Sequence, residues 1–164
     1  MFSLEAKEQV TANLANFAYD PINYDFLKRV KAFDLFLELL DDVNPILVGH
    51  GIAGLCNFCF GNTFKFFFIT FFQIFDFKIF ITDPEVKVQL SNAKHLELIT
   101  KLLSCTTDNN VKCNCITTLI FLSTPETRSI LGTEGIRQSL AQYLNSADVR
   151  LKSLSRILLE DLNK

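Results

Sequence analysis

One distance recurs along this chain of 164 residues, and it limits the folds available more than any motif does. Asp20-Pro21, Asp83-Pro84 and Thr124-Pro125 each set a helix-capping side chain before a proline suited to the first helical position. Pro84 and Pro125 are 41 residues apart, and Pro21 and Pro84 are 63 apart, which is 41 plus 22. Ala12-Asn13-Leu14-Ala15-Asn16-Phe17-Ala18 resembles Ala53-Gly54-Leu55-Cys56-Asn57-Phe58-Cys59, again 41 residues on, and Leu103 and Leu144 keep the same interval. The chain therefore repeats with a period of about 41 residues, interrupted once between Cys59 and Asp83.

Within the period the apolar spacing is helical. Val10, Leu14 and Phe17 recur at i, i+4, i+7. Asn44-Pro45 opens a run continued by Val48, Ile52, Leu55 and Phe58. Asp108 or Asn110 would cap Val111 to Leu122, and Ala147-Asp148 would open the run to Leu162. Leu35, Leu39 and Leu40 form a shorter stripe, echoed by Leu98, Leu102 and Leu103. Each unit reads as a short, a medium and a long helix, the long one rich in small residues. Such units bury their apolar faces only by stacking. The expected fold is all-α, a right-handed α-solenoid of the armadillo or HEAT type, with about three to four repeats and a truncated first repeat. The expected organisation is repeats over 1–59, an insertion over 60–81, and further repeats over 82–164.

The insertion, residues 60–81, holds ten of the seventeen phenylalanines. A transmembrane helix would be about this long, but Lys65, Gln73, Asp76 and Lys78 fall inside it. An inserted loop or strand pair is suggested by the alternation Phe75-Asp76-Phe77-Lys78-Ile79 and would be an aggregation hazard. The favoured expectation is a retained short intron or gene-model error. Phe, Ile, Lys, Asn and Asp are encoded by thymine- and adenine-rich codons. Gly61-Asn62 permits a splice donor, Thr82-Asp83 permits an acceptor, and 22 codons keep the frame. Removal would join Cys59 to Thr82-Asp83-Pro84, matching Ala18-Tyr19-Asp20-Pro21.

Composition narrows the chemistry. The net charge is −2, with no basic block, which gives no strong bias toward nucleic acid or membrane. Five cysteines, an odd number without framework spacing, fit a reducing compartment, nucleus or cytosol. Cys56-x-x-Cys59 and Cys113-x-Cys115 offer thiolates for zinc, but both lie on expected helices, where cysteine suits close packing. His50 and His95 stand apart from any nucleophile pattern, and no phosphate-binding glycine loop occurs. No enzyme activity, catalytic residue, metal, cofactor or small-molecule substrate is expected.

The segments AKEQVTANLANFAYDPINYDFLKRV, FDLFLELL, GIAGLCNFC, CITTLIFLS and ILLEDL resemble the armadillo-repeat-containing protein seven family. The resemblance covers nearly all of the chain outside residues 60–81. Family members begin with additional helices and carry a C-terminal tail; this chain starts inside the last helix of its first repeat. Leu4, Val10, Leu14 and Phe17 are therefore expected to be partly uncovered. The resemblance implies a nuclear protein of the minor spliceosome. It implies pairing with an RNA-recognition-motif protein at the capped 5′ end of a minor-class small nuclear RNA, with RNA contact mainly indirect.

Armadillo proteins line a groove with third-helix asparagines, because an amide both donates to and accepts from a peptide backbone. Asn13, Asn16 and Asn57 are the candidates here, with bonding to neighbouring helix ends as the structural alternative. The ladder is incomplete, since Phe121 takes the matching place in the third repeat. Tyr19, Tyr24, Lys28 and Arg29, with Phe17 and Lys31, are further surface candidates for a partner protein or RNA. For the aromatics the alternative is core packing. An importin-like peptide adaptor, or an adaptor anchored to a membrane through 60–81, are the other functional readings.

Overall fold

The structure is a computed structural model that describes residues 3–60 and 84–164. The phenylalanine-rich stretch, and with it the intron, loop and membrane readings, lies outside the described residues apart from the backbone of Phe60. The chain divides into two compact units, residues 1–87 and 88–164. Among the described residues there are α-helices and no strands.

The first unit holds α1 (Leu4–Phe17), a 3-10 turn (Pro21–Asn23), α2 (Tyr24–Arg29), α3 (Ala32–Leu39) and α4 (Pro45–Phe60). α5 (Pro84–Leu90) crosses the boundary. The second unit continues with α6 (Ala93–Cys105), α7 (Asn109–Leu122), α8 (Arg128–Leu131), α9 (Glu134–Tyr143) and α10 (Val149–Leu162). α1 is a third, long helix. Three short-medium-long sets follow it: α2-α3-α4, α5-α6-α7 and α8-α9-α10.

The starts of the long helices follow from their caps. Ser3 Oγ accepts from Ala6 N–H, and Asn44 Oδ1 accepts from Ile46 N–H. Asp108 Oδ1 accepts from the N–H groups of Asn110 and Val111, and Asp148 Oδ1 from those of Arg150 and Leu151. Each satisfies a donor that the first helical turn leaves open, worth about 1 kcal/mol. Asp20 caps the 3-10 turn through Ile22 N–H. Thr124-Pro125 behaves differently from expectation. Thr124 and Thr127 bond each other's N–H groups through their hydroxyls, and the chain turns there, so helix begins only at Arg128.

In the first unit α4 packs against both α1 and α3. Leu27, Phe36, Leu39, Leu47, Ile52, Leu55 and Phe58 are buried, each burial worth very roughly 1.5–3 kcal/mol. α1 turns small residues inward: Thr11, Ala15 and Ala18 are buried, while Leu4, Val10 and Phe17 are exposed and Leu14 is half-buried. The large residues of α1 are thus uncovered as expected, and the small face is the one that meets α4. In the second unit α7 packs on α6 and α10, and α9 on α10. Leu96, Ile99, Leu103, Ile116, Leu119, Leu140 and Leu158 fill its core.

Lys31, between α2 and α3, is the one non-glycine residue with positive φ among those described (φ 53°). A side chain in this left-handed region costs roughly 1–2 kcal/mol, partly offset by the greater unfolded-state entropy of glycine. Lys31→Gly is expected to raise the unfolding free energy by roughly 0.5–1 kcal/mol. Urea titration followed by circular dichroism would show this as a higher midpoint at unchanged slope.

Candidate functional site

The four caps Ser3, Asn44, Asp108 and Asp148 put the long helices in register. Thirteen residues after each stand Asn16, Asn57, Phe121 and Asp161. The candidate asparagine row therefore has amides at only its first two places. Phe121 is buried. Asp161 is buried against Arg128, whose Nη2 donates to its Oδ1 at 3.1 Å, with Lys164 Nζ at 3.2 Å.

Asn57 is half-buried, and its Nδ2 donates to Ala15 O at 2.9 Å. It satisfies a carbonyl of the last turn of α1, where no helical partner exists. The structural alternative thus describes Asn57. Asn16 is exposed, and its carbonyl accepts from Tyr19 N–H at 3.2 Å. Asn13, also exposed, accepts from Gln9 Nε2 at 3.1 Å. Asn57→Ala would leave Ala15 O without its donor and is expected to cost about 1 kcal/mol. The measurement is the denaturation midpoint beside that of Asn16→Ala, which should move little because its amide is exposed.

Tyr24 corrects the surface reading offered for it. Its ring is buried against Phe58, centroid to centroid 5.2 Å, and its hydroxyl donates to Phe58 O at 3.3 Å. A tyrosine buried on a helix facing α4 serves packing, with its hydroxyl reaching a carbonyl in the last turn of α4. Tyr19 is half-buried, whereas Lys28, Arg29 and Lys31 are exposed at the end of α2. Lys28 and Arg29 lie in the last turn of α2, where cations complement the helix dipole.

A polar seam between α1 and α4 was not anticipated from the residues. Lys7 Nζ meets Asp42 Oδ2 at 2.9 Å, and Asn44 Nδ2 donates to Glu8 Oε1 at 2.7 Å. Thr11 Oγ1 lies 2.9 Å from His50 Nδ1 and the same distance from Lys7 O. The seam links residues 35 to 42 apart, close to one period. The signal was the period itself, read for polar as well as apolar pairs. The Lys7 ammonium holds the Asp42 carboxyl below its usual range. Arg150 does the same for Asp148, and its Nη2 also donates to Asn110 Oδ1 across α7 and α10.

Cys56, Cys59, Cys113 and Cys115 are buried. Burial pushes the Cys59 and Cys113 thiols up, so both stay protonated and weakly reactive. Among the described residues no three of His, Cys, Asp and Glu are grouped to hold a metal ion. His95 Nδ1 lies 2.8 Å from Gln89 O. No helix among the described residues is long and apolar enough to cross a membrane.

Comparison with known proteins places this geometry. No family model matches the chain. The designed armadillo repeat protein YIII(Dq)4CqI superposes with a TM-score of 0.72 at 20% identity, over 99% of this chain and 60% of that one. A second, YIII(Dq.V1)4CPAF in complex with peptide (KR)4, gives 0.68 at 18% identity, over 98% of this chain and 59% of that one. The chain thus spans about 60% of the length of these designed proteins, and the fold is that of an armadillo α-solenoid. In sequence, mouse armadillo repeat-containing protein 7 is 37% identical over 161 residues, 97% of this chain and 70% of the mouse protein. That identity extends over nearly the whole chain, and the chain belongs to the armadillo repeat-containing protein 7 family.

Proposed function

We propose that this protein is a non-enzymatic scaffold that binds a partner protein in the nucleus. The partner is an RNA-recognition-motif protein that holds the capped 5′ end of a minor-spliceosome small nuclear RNA. The observation that carries this reading is 37% identity across nearly the whole chain to the mouse protein. A net charge of −2 supports an indirect hold on RNA, since phosphate binding draws on clustered lysine and arginine.

The test is to immobilise the full chain and offer it the RNA-recognition-motif protein, the small nuclear RNA, or both. Retention of the RNA only when the protein is present is the expected result. RNA retained by the chain alone would overturn the indirect mode, and failure to retain the protein would overturn the assignment.

A second reading, an importin-like peptide adaptor, has one observation in its favour. Asn13 and Asn16 are exposed on a third helix, and a designed protein of this fold is seen with a (KR)4 peptide. Under this reading Asn16→Ala abolishes binding of a lysine-arginine peptide; under the scaffold reading the peptide does not bind.

A further inference from the structure

The outer side of α2 and of the 3-10 turn before it carries large apolar side chains where the other repeats are mostly polar. The inner side of this helix is accounted for: Tyr24 and Leu27 are buried. On the other side Ile22 is 83% exposed, Phe26 44% and Val30 46%. These residues are spaced i, i+4, i+8; Val30 N–H donates to Phe26 O at 3.1 Å, so these two stand one turn apart, and Ile22 lies in the 3-10 turn just before α2.

The repeat supplies an internal comparison. Counting from Pro21, Pro84 and Pro125, the places of Ile22, Phe26 and Val30 are taken by Glu85, Gln89 and Ala93, and then by Glu126, Ile130 and Glu134. Of these, Gln89, Ala93, Glu126 and Glu134 are exposed. The position faces water in this architecture, and only the first unit fills it with three large apolar side chains.

The charges beside the stripe depart in the same unit. Lys28 and Arg29 correspond to Ser91 and Asn92, and to Gly132 and Thr133. Arg29 and Lys31 are exposed next to Val30. The exposed Asp25 lies in the first turn of α2, and the cations Lys28, Arg29 and Lys31 outnumber it toward the end of the row. An apolar row of this size, ending in cations, is complementary to a segment that offers an apolar row edged by carboxylates.

From this placement we propose that the Ile22–Phe26–Val30 stripe, with Arg29 and Lys31, is the docking surface for an acidic amphipathic helix of a partner protein. The inference uses the scaffold reading only in taking the partner as a protein. It does not depend on that protein carrying an RNA-recognition motif.

The test uses the full chain and defined probes, so it stands or falls apart from the spliceosome assignment. A fluorescein-labelled peptide of glutamate and leucine, with leucines at i, i+4 and i+7, is titrated by anisotropy at low and high salt. Its lysine-leucine counterpart and a single-stranded RNA oligonucleotide are titrated alongside. The acidic peptide is expected to bind, more weakly at high salt, and to shift amide resonances of residues 22–31 in the labelled protein.

Ile22→Glu with Phe26→Gln installs the residues found at the matching places of the next repeat, Glu85 and Gln89, so the fold should tolerate them. This pair is expected to weaken the acidic peptide by about tenfold or more. Arg29→Asn, milder for folding, should weaken it and flatten the salt dependence. Equal binding of the lysine peptide, tighter binding of the RNA, shifts confined to other residues, or no binding of the acidic peptide would each overturn the proposal.

Discussion

Phe58→Ala is expected to lower the unfolding free energy of the first unit by roughly 3–5 kcal/mol, the range for deleting a fully buried phenylalanine. Phe58 is 1% exposed in the last turns of α4. Its ring meets Tyr24 at 5.2 Å, Phe36 at 6.0 Å and Phe33 at 6.2 Å between centroids, the latter two edge-on. Aromatic pairs at such separations add to simple area burial. The surrounding rings are held on α2 and α3, so little can relax into the space left behind. The repeat provides the control. Phe17 sits at the same place on α1, fourteen residues after its cap, and is 51% exposed. Phe17→Ala should therefore cost less than about 1 kcal/mol. The same substitution, at equivalent positions of one repeat, separates tertiary burial from helix propensity. Chemical denaturation of both variants would measure it, and equal losses would mean that α1 is covered in solution.

Much of the fold was legible because a solenoid writes its contacts at a fixed interval. The capping roles expected of Asn44, Asp108 and Asp148 are all present; of the expected stripes, Leu39, Leu40, Leu102 and Leu103 are buried, while Leu35 and Leu98 are half-buried. What was hidden depended on direction. The i, i+4, i+7 rule finds Val10, Leu14 and Phe17, yet α1 buries Thr11, Ala15 and Ala18, because two third helices approach closely only through small residues. Tyr24 could not be placed from its type, since a tyrosine serves core and surface alike. Asn57 could not be assigned either, because an amide that suits a peptide suits a helix-end carbonyl equally well. Only the geometry of Ala15 O distinguishes these roles. The Ile22–Phe26–Val30 stripe was present in the residues but reads as ordinary core until Leu27 and Tyr24 are seen to occupy the inner side.

Gly54→Ala should destabilise the protein, although an exposed mid-helix glycine changed to alanine usually gains up to about 1 kcal/mol. A Cβ built on Gly54 would lie 2.5 Å from the Phe36 ring, and contacts under 3.0 Å force something to move. Phe36 is itself fully buried between α3 and α4, so its ring has nowhere to go without opening the core. Overpacking of this kind typically costs about 1–3 kcal/mol. At Gly51 the obstacle is harder, since the nearest atom to an added Cβ is the backbone oxygen of Phe36 at 2.8 Å. There α3 as a whole would have to shift, and Gly51→Ala is expected to fall at or above the top of that range. Gly135 supplies the contrast. Near the start of α9 an added Cβ meets nothing within 4 Å, so Gly135→Ala should be neutral or stabilising by a few tenths of a kcal/mol. Thermal unfolding of the three variants would order them Gly135, Gly54, Gly51 from most to least stable. If Gly54→Ala and Gly51→Ala instead gained stability, α3 and α4 would not approach as closely as the small-residue face of α4 allows. The glycines would then be required neither by the packing of one repeat nor by the local backbone, which is helical at both positions.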